Sequence, residues 1–120
     1  MAEVFGAVLE YLRSRFKGEL GHDELEFTVG TDAMLVAPGS GERVSITFVN
    51  LGATQLYLSP SLQAATTHGL RLAANGGTVS MNVEEDSLLP ALGWWCAGSG
   101  ADGVLFVLTV FRTSIAPEAV

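Results

Sequence analysis

Two histidines, one cysteine, a run of three carboxylates and a few serines in turn sequence are the residues whose types could do chemistry here. A metal site built from strands needs two histidines and a carboxylate converging at close range. His22 stands beside Asp23 and His68 lies in a polar stretch over 60–69, without the near spacing of ligands that such sites use. No metal is expected. Ser40, Ser59, Ser61 and Ser99 all fall in turn sequence, and none sits in the Gly-x-Ser-x-Gly elbow of a hydrolase. Gly39-Ser40-Gly41 and Gly98-Ser99-Gly100 read as loop tips, because neither opens a helix or carries the lysine of a phosphate loop. Cys96, inside Trp94-Trp95-Cys96-Ala97, reads as a small buried hydrophobe rather than a nucleophile. Glu84-Glu85-Asp86 has two readings, a cation site or a solvated acidic turn, and the turn is preferred. Trp94, Trp95 and Tyr57 could stack on a sugar. Consecutive strand residues face opposite ways, so one Trp can belong to the core while the other meets a partner; burial of both is the alternative. No catalytic residue and no cofactor are expected, and the chain reads as a non-enzyme.

The elements that would position these groups are mostly short strands. Arg43-Val44-Ser45-Ile46-Thr47-Phe48-Val49-Asn50 alternates, with Val44, Ile46 and Phe48 on one face. Thr78-Val79-Ser80-Met81-Asn82-Val83 does the same. Glu24-Leu25-Glu26-Phe27-Thr28-Val29 should point Leu25, Phe27 and Val29 inward. Further strands are predicted at 33–36, 54–59, 70–73, 94–97 and 104–111, with Asn75-Gly76-Gly77 as a strong turn signal. The strand at 104–111 is apolar on both faces, so both should be covered. Ahead of the strands, Val4, Phe5, Val8, Leu9, Leu12 and Phe16 recur at spacings of three and four, which predicts an amphipathic helix over 2–17 stopped by Gly18. It either packs on its own chain or docks on a neighbour. The expected organisation is a helix or arm at 1–20, a β-domain at 21–113 and a tail at 114–120. The expected fold class is mainly β: a small antiparallel β-sandwich, jelly-roll-like, with an N-terminal amphipathic α-helix. An open barrel is the alternative.

Bulk properties narrow the role. The 120 residues carry thirteen acids against six bases, a formal charge of −7, which disfavours contact with nucleic acid. No apolar run approaches the length of a membrane-spanning helix, and the first residues lack the pattern of a signal peptide, so a site inside a cell and no membrane partner are expected. Only 16% of residues are charged, where about a quarter is usual, and mean hydropathy is +0.37. So small a domain has limited interior, and some apolar side chains should therefore meet another subunit. A homo-oligomer is the expected state.

Several runs also resemble a family. They are Gly41 to Asn50, then Gln55-Leu56-Tyr57-Leu58, His68-Gly69-Leu70-Arg71-Leu72, Asn75-Gly76-Gly77-Thr78-Val79-Ser80-Met81, Trp94-Trp95-Cys96-Ala97-Gly98 and 104–110. Their order resembles that of small β-sandwich modules in tailed-phage and prophage structural proteins, including capsid cement (decoration) proteins, over about 70 of the 120 residues. The resemblance implies a virion component assembled in the bacterial host cytoplasm, bridging neighbouring major capsid proteins. A tail, neck or head-fibre component is the near alternative, and a carbohydrate- or ligand-binding module the alternative from another class. On the cement reading the expected interface residues are Phe5, Leu9, Leu12, Phe16, Trp94, Trp95, Phe106 and Leu108.

Overall fold

The computed structural model describes residues 19–113. Its strands are β1 (Glu19–Val29), β2 (Met34–Ala37), β3 (Arg43–Asn50), β4 (Leu56–Ser59), β5 (Leu70–Leu72), β6 (Thr78–Asn82), β7 (Trp94–Gly98) and β8 (Gly103–Thr113). One short helix, α1 (Val83–Asp86), and a 3-10 turn at Leu89–Ala91 lie between β6 and β7. The helix expected over 2–17 and the tail at 114–120 lie outside the described residues.

The strands form two antiparallel sheets of four, ordered β1-β8-β3-β6 and β2-β7-β4-β5. Only β4 and β5 follow one another within a sheet; every other connection crosses to the opposite layer. One core fills the space between. Val29, Ile46, Phe48, Met81, Leu105 and Val107 come from the first sheet, and Val36, Leu56, Leu58, Leu72, Trp94 and Cys96 from the second. Phe48 and Trp94 meet edge to face at 5.8 Å between ring centroids, joining the two layers. Each such large side chain taken out of water contributes about 1.5–3 kcal/mol, so this period-two pattern is the main driving force for the fold.

Two buried polar residues tie the layers together. Asn50, fully buried at the end of β3, donates from Nδ2 to Thr54 O (2.8 Å) and Leu72 O (3.1 Å) and accepts from Gly52 N (3.0 Å). Its backbone N–H donates to Gly77 O, and its carbonyl accepts from Gly76 N. One residue therefore closes the β3–β4 turn and holds the β5–β6 loop against it. Arg43, 7% exposed at the other end of β3, donates to Pro90 O (3.0 Å), Leu92 O (3.1 Å) and Pro38 O. Burial lowers its pKa from the usual value, yet a guanidinium stays charged at neutral pH.

Three local expectations change. First, β1 begins at Glu19, five residues before the alternation starts, and pairs with β8 along its whole length. Gly21 lies opposite Phe111, and a Cβ there would stand 3.1 Å from the Phe111 ring. The aromatic ring fills the missing side chain's place and keeps the strand going. Second, Leu25 does not face a closed core but is 48% exposed. β2, on the matching flank of the other sheet, has four residues against the eleven of β1, too few to cover it. Third, the β3–β8 register skips Val44, so a bulge breaks the alternation. The buried face of β3 is Arg43, Ile46, Phe48 and Asn50, with Val44 only half-buried.

Turn chemistry follows the sequence closely. Asn75 (φ 60°) and Gly76 (φ 115°) occupy the left-handed region in the turn before β6. A Cβ on Gly77 would collide with the Ala73 backbone, so that position accepts only glycine without a shift.

Candidate functional site

The chemistry-bearing side chains do not converge. His22 is on β1 of the first sheet, paired at 3.4 Å with Glu24 on the same exposed strand face. His68 closes a tight bridge with Ala65 ahead of β5, at the edge of the second sheet. Among the described residues no group of three or more His, Cys, Asp or Glu is placed to hold a metal ion. Ser40 accepts from Glu42 N, and Ser59 and Ser61 bond each other at 3.1 Å, which fits turn-stabilising hydroxyls.

The acidic run has a local explanation. Asn82 caps α1 by accepting from Glu84 N and Glu85 N, both at 3.0 Å, and Asp86 in turn accepts from Asn82 N at 3.0 Å. This is a reciprocal cap, and carboxylates in a first helical turn are stabilised by the free N–H groups there. Cys96 is fully buried, and burial raises its pKa to about 12. A thiol held neutral to that pH is no nucleophile.

The two tryptophans separate as strand alternation requires. Trp94 is 1% exposed, packs on Phe48 and donates from Nε1 to Leu89 O at 3.0 Å. It is core and leaves the set of expected interface residues, because its ring occupies the space between the two sheets. Trp95 points outward and is half-buried. It sits between Leu35 of β2 and Ser59 of β4, while Tyr57 and Arg71 continue the same outer face one row further on. Leu35 is 44% exposed. This outer face thus carries a Trp, a Tyr, a Leu and an Arg; Trp, Tyr and Arg are the residue types that most often anchor interfaces.

Phe106 and Leu108 lie on the other side of the molecule. Alternation along β8 buries Leu105, Val107 and Thr109 and turns Val104, Phe106, Leu108 and Val110 outward, where they are half-buried. Trp95 and the Phe106–Leu108 pair therefore belong to the outer faces of opposite sheets and cannot form one surface. Phe5, Leu9, Leu12 and Phe16 lie outside the described residues.

One apolar feature was not expected from the sequence. Leu88, Leu89 and Leu92 are 71%, 40% and 36% exposed, around a buried Pro90, in the connection between α1 and β7. This turn is not loose. Arg43 holds the carbonyls of Pro90 and Leu92, Trp94 holds that of Leu89, and Ser40 N donates to Ala91 O. Its signal in sequence was the run Leu88-Leu89-Pro90, but nothing local revealed that a distant arginine would fix it. No helix among the described residues is long and apolar enough to cross a membrane.

Comparison with known proteins adds the following. No family model matches the chain, and no curated protein matches it either. Among solved structures, it is similar to a subunit of the Bacillus endospore appendages, a family of disulfide-linked pili, at 10% identity and a TM-score of 0.47, over 79% of this chain and 89% of that one. A likeness of that order carries no argument about role.

Proposed function

We propose that this chain is a non-enzymatic structural protein that acts by adhesion, of the capsid cement type, bridging neighbouring major capsid proteins. The observation that carries the reading is the leucine turn: three exposed leucines within five residues, held rigid by a buried arginine and by a core tryptophan's N–H. Apolar side chains on a loop usually cost a monomer solubility and gain it nothing. Held in a fixed shape they lose little conformational entropy on docking, which favours a contact repeated over a lattice. The strand order, with nearly every connection crossing between sheets, reads as a jelly roll, an architecture widespread in viral capsid domains. The resemblance over 41–110 to cement modules agrees with that role.

The test mixes the protein with shells assembled from the major capsid protein of the same virion and counts bound copies. Wild type should bind saturably, and Leu88→Asp with Leu92→Asp should lose binding while retaining the near-ultraviolet dichroism of its tryptophans. Equal binding by the double variant would sink the leucine-turn reading; absence of binding by wild type would sink the cement role. Light scattering of the free protein reports self-association separately, against a monomer mass of 12.6 kDa.

A second reading has its own observation, the sheet face shared by Trp95, Tyr57 and Arg71. Aromatic rings beside a guanidinium can hold a carbohydrate ring and its hydroxyls. Saturable quenching of Trp95 fluorescence by oligosaccharides, lost in Trp95→Ala, would favour that reading over cement.

A further inference from the structure

The outer faces of the two sheets differ in charge. On the second sheet strand alternation turns Leu35, Trp95, Ala97, Tyr57, Ser59 and Arg71 outward, and no carboxylate stands among them. Arg43 is buried on carbonyls and Arg112 faces Glu42 at 3.4 Å. Arg71 is thus the one arginine among the described residues with neither an ion pair nor a hydrogen bond, and it is exposed. The first sheet is the reverse. Its outer face carries the exposed Glu24 and Glu26 on β1, with only His22 close by, 3.4 Å from Glu24.

Strand order makes the two faces fit each other. From its charged edge inward, the first sheet presents Glu24 and Glu26 on β1, Phe106 and Leu108 on β8, then Val49 and Thr47 on β3. The second presents Arg71 on β5, Tyr57 on β4, then Trp95 on β7. In both, charge stands on an edge strand and a large side chain on the strand beside it. Laid face to face, Arg71 comes over the two glutamates, Tyr57 over Phe106 and Leu108, and Trp95 over Val49. Within one copy these faces look away from each other, so only two copies can bring them together. Like faces fit less well. Two first-sheet faces would oppose carboxylates, and two second-sheet faces would leave Arg71 without an anion.

We propose that the outer face of the second sheet docks on the outer face of the first sheet of a second copy, with Arg71 on Glu24 and Glu26 and Tyr57 against Phe106 and Leu108. β5 lies on the flank opposite β1, beside the end of β3, where Asn50 holds Leu72 O. The second copy is therefore turned by about half a turn around the line that joins the two. Each copy keeps one free face of each kind, so the contact is head-to-tail and copies add in a row. Four strands about 4.8 Å apart and some 16 Å long give a footprint of about 300 Å², against about 800 Å² per partner in a standard interface. One such contact is weak, and association rises steeply with concentration. The inference rests on the two sheets alone and stands whether or not the protein is a cement protein.

Sedimentation of the full chain from about 10 µM to about 1 mM tests it. The mass of wild type should climb with concentration past the dimer. A monomer throughout would overturn the proposal, and growth that halts at a dimer would overturn the head-to-tail arrangement. Arg71→Glu in one variant, and Glu24→Lys with Glu26→Lys in another, should each move the onset to about ten-fold higher concentration, since an attractive pair becomes a repulsive one. Mixed together, the two variants should associate as wild type does, because each supplies the charge that the other lacks. All three exchanges in one chain should do the same. Unchanged association in either variant, or no recovery in the mixture and the triple exchange, would refute the pairing. Trp94 is core already, so a fall in acrylamide quenching of tryptophan fluorescence on association reports Trp95. Quenching that stays constant as the mass rises would place the contact elsewhere and sink the proposal.

Discussion

Replacing Asn50 by aspartate changes one NH2 group into one oxygen, and it should be among the most damaging isosteric changes available to this protein. Nδ2 of Asn50 donates to two carbonyls, Thr54 O and Leu72 O, at a site with no solvent exposure. Losing the donor costs about 1–3 kcal/mol at the buried Leu72 carbonyl and less at the half-buried Thr54 carbonyl, roughly 2–4 kcal/mol together. Domains of this kind have total stabilities of about 5–15 kcal/mol, so that is a large share of the margin. The carboxylate adds a pH-dependent part. Facing two carbonyls in a dry site, the introduced carboxyl would have its folded pKa raised above the unfolded value of about 3.9. For a raised pKa the protonated form is favoured by folding, so the electrostatic penalty is absent below the unfolded pKa and grows by about 1.4 kcal/mol per pH unit above it. It levels off once the pH passes the folded pKa. Thermal unfolding followed by far-ultraviolet dichroism between pH 4 and pH 8 should show the variant losing stability steadily relative to wild type. Asn50→Ala, which leaves the carbonyls orphaned without adding a charge, should be destabilised by a similar first amount at every pH. A parallel pH profile for Asn50→Asp and wild type would refute the claim that this amide is a dry donor joining two loops.

The other expectations concern the same scaffold. Arg43→Ala should cost about 2–4 kcal/mol by chemical denaturation, because one buried and two half-buried carbonyls lose a charged donor; Arg43→Lys should recover only part, since an ammonium cannot fork to all three. Cys96, with its pKa raised to about 12, should resist a thiol reagent at pH 8 in the folded protein and react at once in denaturant. The sign of its linkage follows: stability is unaffected below the unfolded pKa near 9 and declines as pH rises from there toward 12. A Cys96→Ser variant should lose that alkaline decline in equilibrium melts. Gly76→Ala should cost about 1–2 kcal/mol for a left-handed φ in open space, whereas Gly77→Ala should cost more, since its Cβ meets the Ala73 backbone; equal melting temperatures would count against the turn geometry.

The strands were legible because their period-two alternation reflects one wet and one dry face, and each of the eight predicted strands has a counterpart. Asn75-Gly76-Gly77 gave its turn away because few other residues tolerate positive φ. What escaped was non-local. Leu25 alternates correctly with Phe27 and Val29, yet whether it is covered depends on the length of β2, which the β1 sequence does not encode. Arg43 and Ser45 flank a bulge that only the partner strand defines, and Arg43, the first residue of its alternating run, clamps a turn 47 to 49 residues away. Glu84-Glu85-Asp86 could be read as a cation site until Asn82 supplied the cap that explains it. Local patterning records which side of a strand is dry. It does not record which distant loop a buried donor will hold.

Surface placement constrains the role more than any single residue does. A staple must present two separate contacts, one to each neighbour, and must not bend between them. The leucine turn and the Trp95 face are joined through rigid parts: Trp94 is core, Trp95 follows it on the same strand, and the turn's carbonyls are held by Arg43 and by Trp94 itself. Force applied at Leu88 would therefore be carried through the Trp94–Phe48 contact into both sheets rather than lost in a hinge. The outer face of β8 lies on the opposite sheet from Trp95, apart from that connection.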